Sequence, residues 1–474
     1  MKSSSFNGVP LNLDVFRDIM LCLDQRCDLV AFMTTCHVLF STGLSRYLSL
    51  PIGLFTTSQF RSFCAFIHGD LQDRAKLLRH IIIGELCWDP KDEPQLSDDF
   101  IRVLERAARL EKLSILKCDE WIRQISTMTS ALCSMSNIKK IELDPITASN
   151  IAEVFKKGPA RPRALTISFV DAGPSDMGKA LEIWRDTLEE LEIYYTGYYI
   201  GRNPFPRVTQ LTSHGPLFNV GILAQVFPNL QRLIYAKPHL SYVENRSVSS
   251  DVSWQHLDVL QGPAHVLCQV LLTCHVRHVI VDGVDSRSLG HIQALLDVAS
   301  PTVLALDIWI GANVDIQLER TDSSLHSTSV KQLHINVVFN DLFHGKYMRF
   351  MEPFFRFLPT GLSELTAVSI IFSLAETSDP TSRVRNISTR TLLSLFDDYL
   401  CLVPPSALAC GIARILGPNV KHVHMQLPKA SSSRFETCWE VTMPETGHGE
   451  RKYGPELEEV PVDVYRRIME AQKS

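Results

Sequence analysis

The chain has 474 residues, of which 45% are hydrophobic and 21% are charged. These fractions are typical of a folded globular protein and exclude a chain that is disordered throughout. Lysine and arginine number 47 and aspartate and glutamate 52, a formal net charge of −5. The charges are spread along the chain, which argues against the basic face of a nucleic-acid-binding protein.

The cysteines and the first residues predict the compartment. Twelve cysteines are too few for a disulfide framework, and none are spaced as Cys-x-x-Cys. Residues 1–8 carry no apolar run of signal-peptide length, and no apolar stretch is long enough to span a bilayer. We therefore expect a soluble protein of the cytoplasm or nucleus, with reduced thiols and no membrane partner.

A short apolar pattern recurs along the chain. Each copy reads apolar-x-x-apolar-x-apolar, as in residues 110–115 and 188–193. Successive copies lie on average about 25 residues apart, within the spacing of leucine-rich repeats. The central residues of the eleven copies are Ile81, Leu113, Ile141, Leu165, Leu191, Leu211, Leu233, Leu257, Val279, Leu306 and Leu333.

Polar residues alternate with apolar ones inside these copies, as Glu190 and Glu192 do around Leu191. This alternation predicts strands with one solvated face, whereas strands covered on both faces read as continuous apolar runs. The segments between copies have helical spacing, for example residues 289–299. The predicted fold is therefore α/β, with a curved parallel sheet in an irregular, leucine-rich-repeat-like solenoid.

The domain boundaries follow from these patterns. The solenoid is predicted to occupy residues 76–428, and residues 51–75 are predicted to be a connecting segment. Residues 429–474 are polar and charged and predict a partly disordered C-terminal tail.

Residues 10–50 differ in kind from the repeats. Apolar residues recur there in three short runs with helical spacing, which predicts three amphipathic helices. Three helices in about 40 residues bury too little surface to be secure alone, so a neighbour should cover part of them. The runs are Val15, Ile19 and Leu23; Leu29, Phe32, Met33 and Cys36; and Phe40, Leu44, Tyr47 and Leu48.

The run Leu11-Asn12-Leu13-Asp14-Val15, with the spaced residues Ile19, Asp28-Leu29, Phe32, Cys36 and Phe40, resembles the F-box. It is similar to the F-box-like variant expanded in mushroom-type fungi, with Asn12 in place of the motif's proline. The resemblance implies a non-catalytic substrate receptor of a Skp–cullin–F-box ubiquitin ligase. The helices would dock on the Skp adaptor, and through it on cullin, while the solenoid binds an unidentified target protein. The implied adaptor-binding residues are Leu11, Asn12, Leu13, Asp14, Val15, Ile19, Leu29 and Phe32.

Three aromatic residues are candidates for target binding. Tyr194 and Tyr195 follow the copy centred on Leu191, and Trp309 follows Ile308. Aromatic side chains with polar tips are frequent anchors of protein interfaces. The alternative for the tyrosines is a loop that packs its rings over the edge of the solenoid.

The sequence predicts neither catalysis nor a metal or other cofactor. It contains no Gly-x-Ser-x-Gly elbow and no phosphate-binding glycine loop, and its histidines do not suggest four convergent zinc ligands. Two alternatives to a ligase subunit stay open. One is an interaction scaffold whose degenerate F-box no longer binds the adaptor. The other is an enzyme with a divergent α/β fold, a closed sheet and a polar pocket at the strand ends.

Overall fold

A computed structural model describes most of the chain, which divides into two compact units, Met1–Pro216 and Leu217–Ser474. Among the described residues, no helix is both long and apolar enough to cross a membrane. The description covers residues 13–23, 25–156, 158–169, 174–194, 203–215, 220–236, 254–269, 274–285, 288–310, 325–339, 358–374, 405–427, 435–442, 456–461, 464 and 467.

The first unit begins with the three predicted helices, α1 (Leu13–Cys22), α2 (Arg26–Met33) and α3 (His37–Ser49). Helices α2 and α3 approach closely at Gly43, where an added Cβ would lie only 2.5 Å from Cγ of Met33. We call these helices the helical module. Its buried core consists of Met20, Leu29, Met33 and Leu39.

A parallel sheet follows in the same unit, and its strands pair in chain order. Because parallel neighbours are joined by right-handed crossovers, the connecting helices lie on one face of the sheet. The strands are β1 (Ile52–Leu54), β2 (His80–Ile83), β3 (Lys112–Leu116), β4 (Lys140–Ile146), β5 (Ala164–Phe169), β6 (Glu190–Tyr194) and β7 (Gln210–Ser213). The helices are α4 (Thr57–His68), α5 (Leu71–Leu77), α6 (Pro94–Arg106), α7 (Cys118–Gln124), α8 (Met128–Ser134), α9 (Ala148–Phe155) and α10 (Pro174–Leu181), with a 3₁₀ turn at Glu182–Trp184.

The second unit continues the same alternation of strands and helices. Strands β8, β9, β10, β11, β13, β15 and β16 pair in parallel, β16–β17–β18 pair antiparallel, and β12 pairs with β14. The strands are β8 (Arg232–Tyr235), β9 (His256–Pro263), β10 (His275–Asp282), β11 (Val303–Ile310), β12 (His326–Ser327), β13 (Gln332–Phe339), β14 (Gly361–Leu362), β15 (Ala367–Leu374), β16 (His422–Leu427), β17 (Phe435–Thr442) and β18 (Glu456–Val460). The helices are α11 (Val220–Val226), α12 (Ala264–Leu267), α13 (Leu289–Ala299) and α14 (Pro405–Leu416).

One buried apolar residue from each parallel strand stands in register with its neighbours, and we call each such row a core ladder. Residues two positions away point to the same side, while alternate residues point to the opposite, partly solvated face. The first unit therefore combines a covered face with an open face, as the alternation predicts. In the second unit, by contrast, the alternate residues Ala367 and Ser369 of β15 and His422 and His424 of β16 are buried. The first core ladder is Ile52, Ile81, Leu113, Ile141, Leu165, Leu191 and Leu211. The second is Leu233, Leu260, Val279, Leu304, Leu333, Val368 and Val423.

Two predicted central residues are corrected by this register. Leu257 pairs with Val276, so the centre of its strand is Leu260. Leu306 pairs with Val281, which makes Leu304 the central residue of β11. Both strands carry further buried apolar residues two or three positions from the true centre, and the sequence pattern alone does not distinguish between them.

The predicted boundaries also differ from the structure at both ends of the solenoid. Residues 51–75 contain β1 and α4, so parallel pairing begins there rather than after residue 76. Residues 429–474 contain β17 and β18, in a segment for which we predict partial disorder. Cys438, Trp439 and Val441 are buried in β17, and this short apolar set lies between long polar stretches that obscure it.

Truncating a core ladder residue should destabilise the first unit. Leu113 in β3 is fully buried, so Leu113→Ala should lower the free energy of unfolding by about 2–5 kcal/mol. The same change at Leu116, which is 37% exposed at the end of β3, should cost less than about 1 kcal/mol. Chemical denaturation followed by circular dichroism measures both, and equal losses would contradict the assignment of the covered face.

Candidate functional site

The helical module carries an unusual share of exposed apolar surface. Among the described residues, it contributes six of the eleven large hydrophobic side chains that are exposed. Val15 and Ile19 on α1 are 51% and 41% exposed. These two residues are four positions apart and therefore share one face of the helix, and adjacent exposed apolar side chains are typical of a protein interface. The six are Val15, Ile19, Leu21, Val30, Val38 and Phe40.

The predicted adaptor-binding residues have different positions in the module. Leu11 and Asn12 lie outside the described residues, and Leu13 begins α1, with its side chain outside the description. Asp14 is exposed in the first turn of α1. Val15 and Ile19 are exposed farther along the same helix.

Two further predicted residues lie on α2. Phe32 is half-buried and packs on Phe16, with ring centroids 5.6 Å apart. Leu29 is fully buried in the core of the module. Leu29 therefore stabilises the module from inside, and its predicted contact with the adaptor stays a prediction. Its neighbour Val30, at 40% exposure, is the apolar residue that α2 presents outward.

A groove of about 420 Å³ separates α2 and α3 from β1 and α4. Arg26 forms part of its wall and lies over the ring of Tyr47, 4.8 Å from the ring centroid. The guanidinium donates hydrogen bonds to the carbonyl oxygens of Tyr47 (3.3 Å) and Leu50 (3.2 Å). Burial lowers the pKa of Arg26. Arg26 thus links α2 to the C-terminal end of α3 along one wall of the groove.

The open face of the first unit carries a row of polar residues, one from each of five neighbouring strands, which we call the polar ladder. Thr166 donates a hydrogen bond to Glu192 Oε2 (3.0 Å), and Ser114 donates one to Glu142. Each carboxylate is thus bonded to a hydroxyl group of the preceding strand. The polar ladder consists of Ser114, Glu142, Thr166, Glu192 and Thr212.

Glu142 is the best-paired carboxylate on this face. Its Oε1 lies 2.9 Å from Nζ of Lys112 and 3.1 Å from Nζ of Lys140. Burial alone would raise the pKa of Glu142, but the hydrogen bonds from Ser114 and the two lysines outweigh it and lower the pKa to about 2. Glu142 is therefore ionised at neutral pH, and it neutralises part of the basic charge on β3 and β4.

Tyr194 and His214 form a stacked aromatic pair on the open face. Their rings stack with centroids 3.8 Å apart and planes 9° apart. The Tyr194 hydroxyl donates to Glu192 Oε1 (3.1 Å), and His214 Nε2 lies 2.8 Å from the same oxygen. Burial and then the Glu192 carboxylate raise the pKa of Tyr194 to about 12, so the phenol stays neutral at physiological pH. We call these three residues the aromatic cluster.

The three predicted target-binding residues can now be placed. Tyr194 is 41% exposed and available to a partner, whereas Tyr195 lies outside the described residues. Trp309 belongs to β11, and its side chain is outside the description. Glu192 and His214 could not be recognised from sequence as partners of Tyr194, because only the register of β6 and β7 brings them together. The alternation of polar residues in β6 was the available signal.

A polar pocket of about 730 Å³ lies in the second unit, at the carboxyl ends of β9, β10 and β11. Its described lining includes Asp282, Asp307 and His265, and contains no lysine or arginine. Burial raises the pKa of Asp282 to about 6, with a further contribution from Asp307, against a hydrogen bond from Gln261. Within the described part of the chain, no group of three or more histidine, cysteine, aspartate or glutamate side chains is arranged to hold a metal ion.

This pocket bears on the predicted enzyme alternative, which requires a polar pocket at the strand ends and a closed sheet. The pocket is present, but the described strands of each unit pair in an open order, with no pairing between the first and last strand of either unit. A comparison with models of known protein families finds no match to this chain, and a comparison with curated proteins finds none either.

Replacing Glu142 should weaken the open face in a pH-dependent way. The pKa of Glu142 is lower in the folded chain, so its contribution is complete above about pH 4.5 and is lost as the pH falls toward 2. Glu142→Gln should therefore lower the free energy of unfolding at pH 7 by about 1–2 kcal/mol, and by less at pH 3. Glu190→Gln, on the exposed part of β6, is the matched control. Chemical denaturation at pH 7 and pH 3 measures the free energy of unfolding of both variants. Equal losses for Glu142→Gln and Glu190→Gln would contradict the ion-pair network.

Replacing Asp282 should have the opposite sign. Its folded pKa is raised to about 6, so ionisation of the half-buried carboxylate costs stability above pH 6, and this cost is absent below about pH 4. Asp282→Asn should stabilise the chain by about 1 kcal/mol at pH 7.5 and leave it unchanged at pH 4. Thermal unfolding at the two pH values measures this. Asp258→Asn, at the start of β9, is the control, and a gain that is the same at both pH values would refute the burial argument.

Proposed function

We propose that this chain is a non-catalytic substrate-recognition subunit of a Skp–cullin–F-box ubiquitin ligase. The supporting observation is the exposed apolar surface of the helical module. Val15 and Ile19, which the F-box resemblance assigns to adaptor binding, are both exposed on α1. In the proposal, the helical module docks on the Skp adaptor and the open face of the sheet binds a target protein.

The energetics of the module support a docking role. Burying apolar surface contributes roughly 25 cal/mol per Å², so leaving six large hydrophobic side chains exposed on three short helices forgoes substantial stabilisation. A partner that covers Val15 and Ile19, which share one face of α1, would recover part of it at the interface. A few such central apolar residues commonly supply most of the affinity of a protein complex.

The sheet suits the second half of the proposal. In the first unit the connecting helices cover one face, while most polar residues on the alternate face are at least partly exposed. A leucine-rich-repeat-like solenoid would use such a face to hold an extended target surface. In this proposal, other subunits of the ligase transfer ubiquitin. This chain would act by raising the local concentration of target lysines near the bound ubiquitin thioester.

A second candidate is a protein-interaction scaffold with a degenerate F-box that does not bind the adaptor. The burial of Leu29 favours it, because one residue of the resembling motif is then unavailable to a partner. Asn12 in place of the motif's proline points the same way. This candidate predicts target binding through the sheet, with no adaptor or cullin in the complex.

Co-purification with the Skp adaptor of a fungal host distinguishes the two candidates. Ile19 is exposed at the centre of α1, so Ile19→Asp should reduce adaptor recovery at least tenfold, because a carboxylate would be desolvated at the interface. Val298→Asp on α13, where the valine is 56% exposed, should leave recovery unchanged. Failure of the wild-type chain to recover the adaptor would refute the ligase assignment and favour the scaffold.

A further inference from the structure

The open face of the first unit has an asymmetric distribution of charge. On β3 and β4, Lys112 and Lys140 both pair with Glu142. On β6, Glu190 is exposed and Glu192 is half-exposed, and no lysine or arginine among the described residues forms an ion pair with either. Two strand spacings, about 10 Å, separate the basic residues of β4 from these acidic residues of β6.

Tyr194 stands at the end of the same strand, β6, and its ring is held in place before any partner arrives. One side of the ring stacks on His214, and the hydroxyl is fixed by Glu192. The side chain is nevertheless 41% exposed. A large aromatic side chain that is already ordered loses little conformational entropy on binding, which is the property of an effective interface anchor.

Glu192 is organised to the same degree. It accepts hydrogen bonds from Thr166 and Tyr194 and contacts His214 Nε2. These neighbours hold the carboxylate in position beside the ring without neutralising it with a lysine or arginine. A carboxylate held next to an aromatic ring forms a site that attracts a cation in two ways. The carboxylate contributes its negative charge, and the ring contributes the negative electrostatic potential of its face.

We infer that this surface binds a basic segment of the target protein, with a lysine or arginine side chain lying over Tyr194 and facing the carboxylates of Glu190 and Glu192. The inference rests on the proposed function, since it names the chemical class of target that the open face recognises. Charge complementarity selects this occupant over an acidic or phosphorylated one. Lys112 and Lys140 are paired with Glu142. Glu190 and Glu192 form no ion pair with a lysine or arginine among the described residues, so they would repel an added negative charge.

A peptide selection on the full chain tests this directly. A phage library of random dodecapeptides is selected against the immobilised wild-type chain, and the selected peptides are sequenced and measured by fluorescence anisotropy. We expect lysine or arginine to be enriched at one shared position. Tyr194→Ala should weaken binding of those peptides at least tenfold, and Tyr194→Phe, which keeps the ring, should weaken it less than threefold.

Charge reversal makes the test specific to the acidic strand. Glu190→Lys should weaken binding of the selected peptides at least tenfold, whereas Glu190→Gln, which removes the charge without reversing it, should weaken it less. Glu105→Lys on α6 makes the same charge change at an exposed position of the helical side and should leave binding unchanged. Thermal unfolding by circular dichroism confirms that each variant is folded.

Three outcomes of the peptide selection would contradict the inference. Selection of no peptide, selection without basic enrichment, or selected peptides that bind Tyr194→Ala as tightly as wild type would each refute it. Ile19→Asp should keep peptide binding, while Tyr194→Ala should keep adaptor recovery. A failure of the inferred target binding and a failure of the proposed adaptor interaction are therefore detected with different variants.

Discussion

The in-register pairing of one apolar residue per strand is the constraint on which the structure depends. Strands that follow each other in parallel must be joined by crossovers, and these crossovers place the helices on one face. The core ladders lie on that face and are removed from water. On the opposite face of the first unit, most alternate residues of the described strands are at least partly exposed, so they must be compatible with solvent. The polar ladder and the aromatic cluster are the consequence in the first unit, where hydrogen bonds between neighbouring strands take the place of apolar packing.

Much of the first unit could be predicted from the sequence, because its strands are short and alternate cleanly. The central residues from Ile81 to Leu211 occupy the predicted register. In the second unit the strands are longer, and β11 presents buried residues at 304, 306 and 308. Alternation then fixes the face but not the register, which is set by pairing with the neighbouring strand. The strands of residues 429–474 were missed because their buried residues are few and their flanks are polar.

The helices and strands of the site could be predicted from the sequence more fully than the contacts between their side chains. Helical spacing located all three helices of the module and placed Leu29, which is buried, in the apolar run of α2. It did not show that Val15 and Ile19, in the apolar run of α1, stay exposed. Two helices in contact decide that difference through their packing geometry, and Gly43 shows how close the contact is. In the same way, Tyr194 could be selected as an aromatic candidate from sequence. Its stacking on His214 and its bond to Glu192 arise from the alignment of β6 with β7, which no local pattern contains.

The antiparallel strands that follow β16 have a consequence for solubility. A parallel sheet that simply stopped would leave a row of unpaired amide and carbonyl groups, a template onto which another chain can add. Here β17 covers that edge of β16, and β18 lies beyond β17 with Glu456, Glu458 and Glu459 along its length. Closely spaced negative charges on an outer strand repel a second copy of themselves. Strands β17 and β18 therefore disfavour edge-to-edge aggregation.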